Sequence, residues 1–174
     1  MRHVRRGGRH FRVADPSWED PLSGAWSRVR GGRWNAPGAF DVVYLNATVT
    51  VARAQVVKSL APLAIGPEDL DPATAPVLVE TEVPTEAYVD AVTDAGLRSL
   101  GLPVGYPLDA GGAPVPHADC QPIGVAAQRV GDPGIAARSA AEFPSPGEEL
   151  AYFGTARLSV RERRTFTEWF WPTR

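Results

Sequence analysis

The sequence predicts an α+β fold, on three observations. Short segments alternate or run apolar as strands do, at 10–14, 41–46 and 77–83. Longer segments repeat apolar residues at near-helical spacing, at 49–60 and 119–130. Between them lie clusters of Gly, Pro, Asn and Asp that read as turns.

His10 to Ala14 reads as a strand with Phe11 and Val13 on one face and Arg12 on the other, aimed toward a cleft, before Asp15-Pro16 breaks it. Ser17 to Arg30 has little periodicity and is expected to be a loop that covers something with Trp18 and Trp26. Asp41 to Asn46 reads as a buried strand whose Tyr44 needs a partner for its hydroxyl. Thr48 is placed to cap a helix from Val49 to Leu60, with Val49, Ala52, Val56 and Leu60 inward, Gln55 at the edge of that stripe and Pro62 ending it.

Val77 to Val83 reads as a half-buried strand, with Glu80 and Glu82 sharing one face. Thr85 is expected to start a second helix through Ala95, closed by Gly96, with a loop from Leu97 to Pro107. Asp109 to Pro116 is a Gly- and Pro-rich surface loop. Asp119 is expected to start a third helix, with Ile123, Ala126, Ala127 and Val130 inward. Two further strands are expected at Gly134 to Ala140 and Glu149 to Thr155, around a turn at Pro144 to Gly147. Ser159 to Arg174 reads as a closing strand, with a helix as the alternative.

A chain of 174 residues with 44% hydrophobic and 22% charged residues fits one globular domain, and no apolar run is long enough to span a membrane. The net charge of −2 argues against a dedicated nucleic-acid binder. Five arginines and two histidines nonetheless crowd residues 2–12, and a mobile, solvated tail over residues 1–9 is expected, with the domain occupying 10–174. Those basic charges are not followed by the apolar segment of a secretory signal, and the chain has one cysteine, so a cytoplasmic location is expected. The three histidines and Cys120 lack metal-ligand spacing, so no metal is expected.

The segment most suggestive of chemistry is Gly31-Gly32-Arg33-Trp34-Asn35-Ala36-Pro37-Gly38, followed by Val42-Val43-Tyr44-Leu45. A guanidinium between glycines and an aromatic residue suits a phosphate or carboxylate, because its planar fork binds two oxygens at once. The same residues also read as an ordinary turn with a core tryptophan.

Taken together, several pieces resemble the RES family, named for an Arg, a Glu and a Ser found in its members. They are the glycine–arginine–tryptophan–asparagine loop, Val43-Tyr44-Leu45, the helix whose position 55 lies eleven residues beyond Tyr44, Cys120-Gln121, Gly134-Ile135 leading to Arg138-Ser139, and the aromatic ending at Trp169. The resemblance implies an ADP-ribosyltransferase-like fold of mostly antiparallel central sheets flanked by about three helices. It implies a toxin of a bacterial toxin–antitoxin pair, consuming NAD+ as substrate by cleaving its nicotinamide–ribose bond as a glycohydrolase, phosphorylase or ADP-ribosyltransferase. The acceptor is then water, phosphate or a protein group, and an Xre-like helix-turn-helix antitoxin is the partner in a hetero-oligomer.

Carried over by residue, the resemblance implies that Arg33 holds the pyrophosphate or a nearby ribose, that Tyr44 packs at the nicotinamide end, and that Ser139 hydrogen-bonds the nicotinamide ribose region. Arg12, Gly32, Trp34 and Asn35 complete the implied NAD+-binding set. Gln55 stands where the family has its glutamate. Cleavage develops positive charge on the ribose, which a carboxylate stabilises and an amide does not. Three explanations stay open: an engineered substitution, a natural binder or weak enzyme, or another acid, with Glu80 and Glu82 as candidates. A catalytically inactive NAD+- or antitoxin-binding module is the alternative function.

Overall fold

The computed structural model describes residues 1–141, 147–154 and 156–171. Six strands are built from His3–Ala14 (β1), Val43–Asn46 (β2), Val77–Ala91 (β3), Gly134–Arg138 (β4), Glu148–Tyr152 (β5) and Val160–Arg164 (β6). Among the described residues five α-helices accompany them: Ala25–Arg30 (α1), Val49–Leu60 (α2), Asp94–Ser99 (α3), His117–Arg129 (α4) and Phe166–Trp169 (α5). The strand order is β1-β2-β5-β4-β3-β6, and β1 also pairs with β3, so the first five strands close on themselves. All pairings are antiparallel except β3 with β4. The expected α+β class with mostly antiparallel pairing holds.

The closure follows from the length of β3. Its 15 residues pair with β1 along one edge, while its other edge takes β6 near its start and β4 near its end. Midway, Pro84 and Thr85 stand opposite the single Gly7, between the pairs Arg6↔Glu86 and Gly8↔Val83. Proline has no N–H to give a ladder, so a bulge accommodates it. A Cβ on Gly7 would lie 2.5 Å from the Thr85 Cα, which reserves that position for glycine.

Ala14, Val43, Leu45, Val79, Ala136, Leu150 and Tyr152, drawn from all five closed strands, pack together as the interior. A second cluster seats α4 through Cys120 and Ala127 against Val89, Ile135 and Ala151. A third seats α2 through Ala52, Val56 and Leu60 against Phe11, Leu78 and the aromatic end of the chain. There Phe166 stacks on Phe170 at 4.6 Å, and Arg53 donates to the Trp169 carbonyl at 2.7 Å.

Helix α2 has the expected bounds, with the Thr48 hydroxyl accepting from the Val51 amide at 3.2 Å. Other expectations need correction. Residues 3–9 are not a tail: they pair along Glu82 to Val89, and Arg6 forms a two-pronged ion pair with Glu148. Residues 25–30 form α1 inside the expected loop. The helix expected from Thr85 is strand as far as Ala91, because Tyr88, Val89 and Ala91 are buried between β1 and β4. The cap belongs instead to Thr93, whose hydroxyl accepts from the Gly96 amide at 3.0 Å at the start of α3. Helix α4 turns Cys120, Gly124 and Ala127 inward and leaves Val130 exposed. The end of the chain holds both alternatives, β6 and then α5. The turn expected at Pro144 to Gly147 lies outside the described residues except for Gly147, as does Thr155.

Candidate functional site

The loop from Gly31 to Gly38 is fixed from both ends. Helix α1 stops at Gly31, which takes φ +74° and donates its N–H to the Ser27 carbonyl at 2.7 Å. A glycine is needed there because a side chain is strained at positive φ. The Gly32 amide donates to the Asn35 carbonyl at 2.8 Å, and the Gly38 amide to the Arg28 carbonyl at 2.6 Å. Asn35 is fully buried and its amide donates to the carbonyls of Ser27 and Phe40.

Tyr44, on β2, ties this loop to the sheet. Its hydroxyl donates to Asn35 Oδ1 at 2.8 Å and accepts from the Trp34 amide at 2.9 Å. Burial holds that phenol well above its ordinary pKa, so it stays protonated. A Cβ on Gly32 would lie 2.4 Å from the same hydroxyl. The loop is also held from α4: Gln121 donates to the Gly32 carbonyl at 3.0 Å, and Gly124 packs so closely on the Trp34 carbonyl that a Cβ there would lie 1.7 Å from its oxygen.

What this scaffold presents is Arg33. Its guanidinium lies 5.8 Å from the Tyr106 ring centre and donates to the Val115 carbonyl at 2.9 Å. It makes no ion pair among the described residues. It lines a cavity of about 380 Å³.

The cavity brings together Arg12, Gly32, Arg33, Tyr44 and Gln55 from the expected set, with Trp18, Trp26, His117 and Glu149. Trp18 and Trp26 form one wall, 6.1 Å apart, each with an arginine over its ring: Arg12 at 5.2 Å and Arg30 at 4.9 Å. Arg12 is buried and donates at 2.8 Å to the carbonyls of Pro21 and Ser23, so much of its fork pins that wall. Burial brings its pKa down to about 10, which leaves it charged at neutral pH.

Trp34 and Asn35 do not line the cavity. Both are buried beneath the loop, Trp34 against Tyr106. Ser139 is also fully buried, and its hydroxyl donates to the Glu149 carboxylate. Glu80 and Glu82 lie elsewhere, in ion pairs with Arg9, Arg164 and Arg161 along β1, β3 and β6.

Two lining residues went unseen in the sequence. His117 opens α4; burial, then the charges of Arg33 and Lys58, hold its pKa below the ordinary value, so the imidazole is neutral at pH 7. Glu149 sits on β5 between Asn46 of β2 and Ala137 of β4. Burial raises its pKa, against the Ser139 hydrogen bond and the charges of Arg33 and Lys58. The available signal was weak: Glu149 is the second of two glutamates that lead into an apolar run, and only the pairing of that strand on both edges makes it central. Among the described residues no group of three His, Cys, Asp or Glu is placed to hold a metal ion. No described helix is long and apolar enough to cross a membrane.

A closed mixed sheet carrying a glycine–arginine loop beside a cavity defines the class, and comparison with family models agrees: residues 9–171 match the RES domain, and the chain belongs to that family. Among solved structures, a chain of the M. tuberculosis MbcT-MbcA toxin-antitoxin complex is similar in fold, with a TM-score of 0.77 and 22% identity over 97% of this chain and 91% of that one. No curated protein matches this sequence.

Proposed function

We propose that this chain is a toxin-type enzyme that consumes NAD+ by breaking the bond between nicotinamide and ribose. The observation that carries the reading is the cavity itself, in which Arg33, without an ion pair among the described residues, and Glu149 line the same 380 Å³ of space beside two tryptophans. Such a site matches a dinucleotide whose centre is anionic and whose reacting end becomes cationic. Membership of the RES family supports it, as does the likeness in fold to a chain of a toxin-antitoxin complex.

In this reading Arg33 holds the pyrophosphate, and the Trp18–Trp26 wall stacks the adenine. Tyr44 and Asn35 act by keeping the loop in place, and Trp34 by anchoring it in the core. Water, phosphate or a protein side chain accepts the ADP-ribosyl group. An Xre-like helix-turn-helix antitoxin is the proposed partner in a cytoplasmic hetero-oligomer. The test is nicotinamide release from NAD+, with affinity measured by calorimetry. Arg33→Ala is expected to weaken binding by roughly ten- to a hundredfold, as loss of a charge-assisted contact does. Unchanged affinity would remove Arg33 from the site.

Gln55 favours a second reading, binding without turnover. Its Oε1 accepts from the Asn46 amide at 2.8 Å, so it presents donors rather than a negative charge. That reading expects NAD+ to bind and to remain intact.

A further inference from the structure

We propose that Glu149 on β5 supplies the carboxylate that position 55 lacks, and that it accepts the proton of the water attacking the nicotinamide ribose. The inference rests on the NAD+ reading of the pocket.

The geometry of Gln55 comes first. Asn46 donates from the same amide nitrogen to the Phe11 carbonyl at 3.4 Å and to Gln55 Oε1 at 2.8 Å. The backbone carbonyl fixes that nitrogen as a donor, and so fixes the Gln55 amide with Oε1 toward Asn46 and Nε2 outward. An N–H donor turned toward a developing cation opposes it, so Gln55 is unsuited to stabilising the ribose.

Glu149 lies one strand away. Asn46 and Glu149 are directly paired across β2 and β5, and directly paired residues send their side chains to the same face of a sheet. Asn46 thus touches Gln55 and neighbours Glu149, so the carboxyl group absent from α2 is present beside it on β5. Among the described residues Glu149 is the one carboxylate lining the cavity. Ser139, just past β4, donates its hydroxyl to Oε1 and fixes the orientation of the group. The charged and titratable groups that interact with it are Arg33, Lys58, Tyr44 and Tyr106, with His117 on the same cavity lining, and of these Arg33 and Lys58 favour its ionised form.

The step balances with water as acceptor. The bond from ribose C1′ to the nicotinamide nitrogen breaks, and its electron pair stays on that nitrogen, which becomes neutral. The water oxygen bonds to C1′, its proton passes to Glu149, and the proton leaves to solvent with the product. NAD+ and water thereby give nicotinamide, ADP-ribose and a proton. The ionised carboxylate also faces the charge that develops on the sugar.

Nicotinamide release and NAD+ affinity would be measured for the natural sequence, Glu149→Gln, Gln55→Glu and the double substitution, with circular dichroism confirming each fold. Glu149→Gln is expected to lower kcat roughly 10²–10³-fold with affinity nearly unchanged. The double substitution is expected to regain at least about tenfold over Glu149→Gln, because a carboxylate has been returned on the neighbouring element. A Glu149→Gln protein that works at the natural rate would overturn the proposal. So would a natural sequence that binds NAD+ without turnover while Gln55→Glu releases nicotinamide. Absence of any NAD+ binding by the natural sequence would instead remove the pocket assignment, and this proposal with it. Should Glu149→Gln not fold, Glu149→Asp serves: a fall in kcat at constant affinity supports the role, and a change in affinity alone contradicts it.

Discussion

Removing one oxygen from Tyr44 tests how the Arg33 loop is held. Its hydroxyl serves two otherwise unmatched groups, the Trp34 amide at 2.9 Å and Asn35 Oδ1 at 2.8 Å. Tyr44→Phe keeps the ring and its packing but strips both partners. Each polar group left unpaired in a covered site costs about 1–3 kcal/mol. The adjoining cavity admits some water to them, which places the total near the lower half of that sum, about 2–4 kcal/mol. For a chain of this length that corresponds to a fall in Tm of roughly 5–15 °C. Differential scanning calorimetry and urea titration would measure it, alongside NAD+ calorimetry, where a loosened loop is expected to weaken binding. A Tyr44→Phe protein that melts within about 2 °C of the natural one would refute the claim that this hydroxyl holds the loop.

The other predictions concern packing and charge. Gly124→Ala would set a methyl group 1.7 Å from the Trp34 carbonyl oxygen, forcing α4 off the loop at a cost of about 1–3 kcal/mol or more, which urea unfolding would read. Asp90 is buried, which alone would raise its pKa. Hydrogen bonds from the Thr93 hydroxyl and from the Thr93 and Val92 amides, with the Arg6 charge, outweigh that and lower it. Its stabilisation is therefore present above the ordinary aspartate range and lost as pH falls through the depressed folded value, so Asp90→Asn should flatten the acid side of the stability curve. Glu149 has the opposite sign: its pKa is raised in the fold, so its contribution to stability is lost as pH rises through that value. Glu149→Gln should therefore melt higher than the natural sequence at pH 8, and the natural enzyme's rate should show an acid limb above the usual glutamate range that the variant lacks.

Local signals carried through where local chemistry decides. Thr48 and Pro62 delimit α2 because a hydroxyl capping an amide and a missing N–H act within a few residues. That Arg33 and Tyr44 belong to one region was legible because glycines and a buried phenol constrain their neighbours, and both line the same cavity. The rest depends on partners distant in the chain. Residues 3–9 look like a solvated tail until β3, some 80 residues on, offers an edge and Glu148 offers a carboxylate. The second half of β3 carries no clear period of its own and is strand because β1 and β4 flank it. The inner face of α4 is set by Gly124, whose importance lies in the Trp34 backbone it meets. Glu149 follows another glutamate and reads as the wet start of a strand. Only its place between β2 and β4 turns it toward the cavity with Ser139 behind it.

The central claim is that this cavity consumes NAD+, and proton NMR of a mixture of the purified protein with NAD+ in phosphate-free buffer tests it most directly. The account predicts free nicotinamide and ADP-ribose appearing in equal amounts as NAD+ disappears, with both signals suppressed by Arg33→Ala. NAD+ that stays intact beside the folded protein would contradict it.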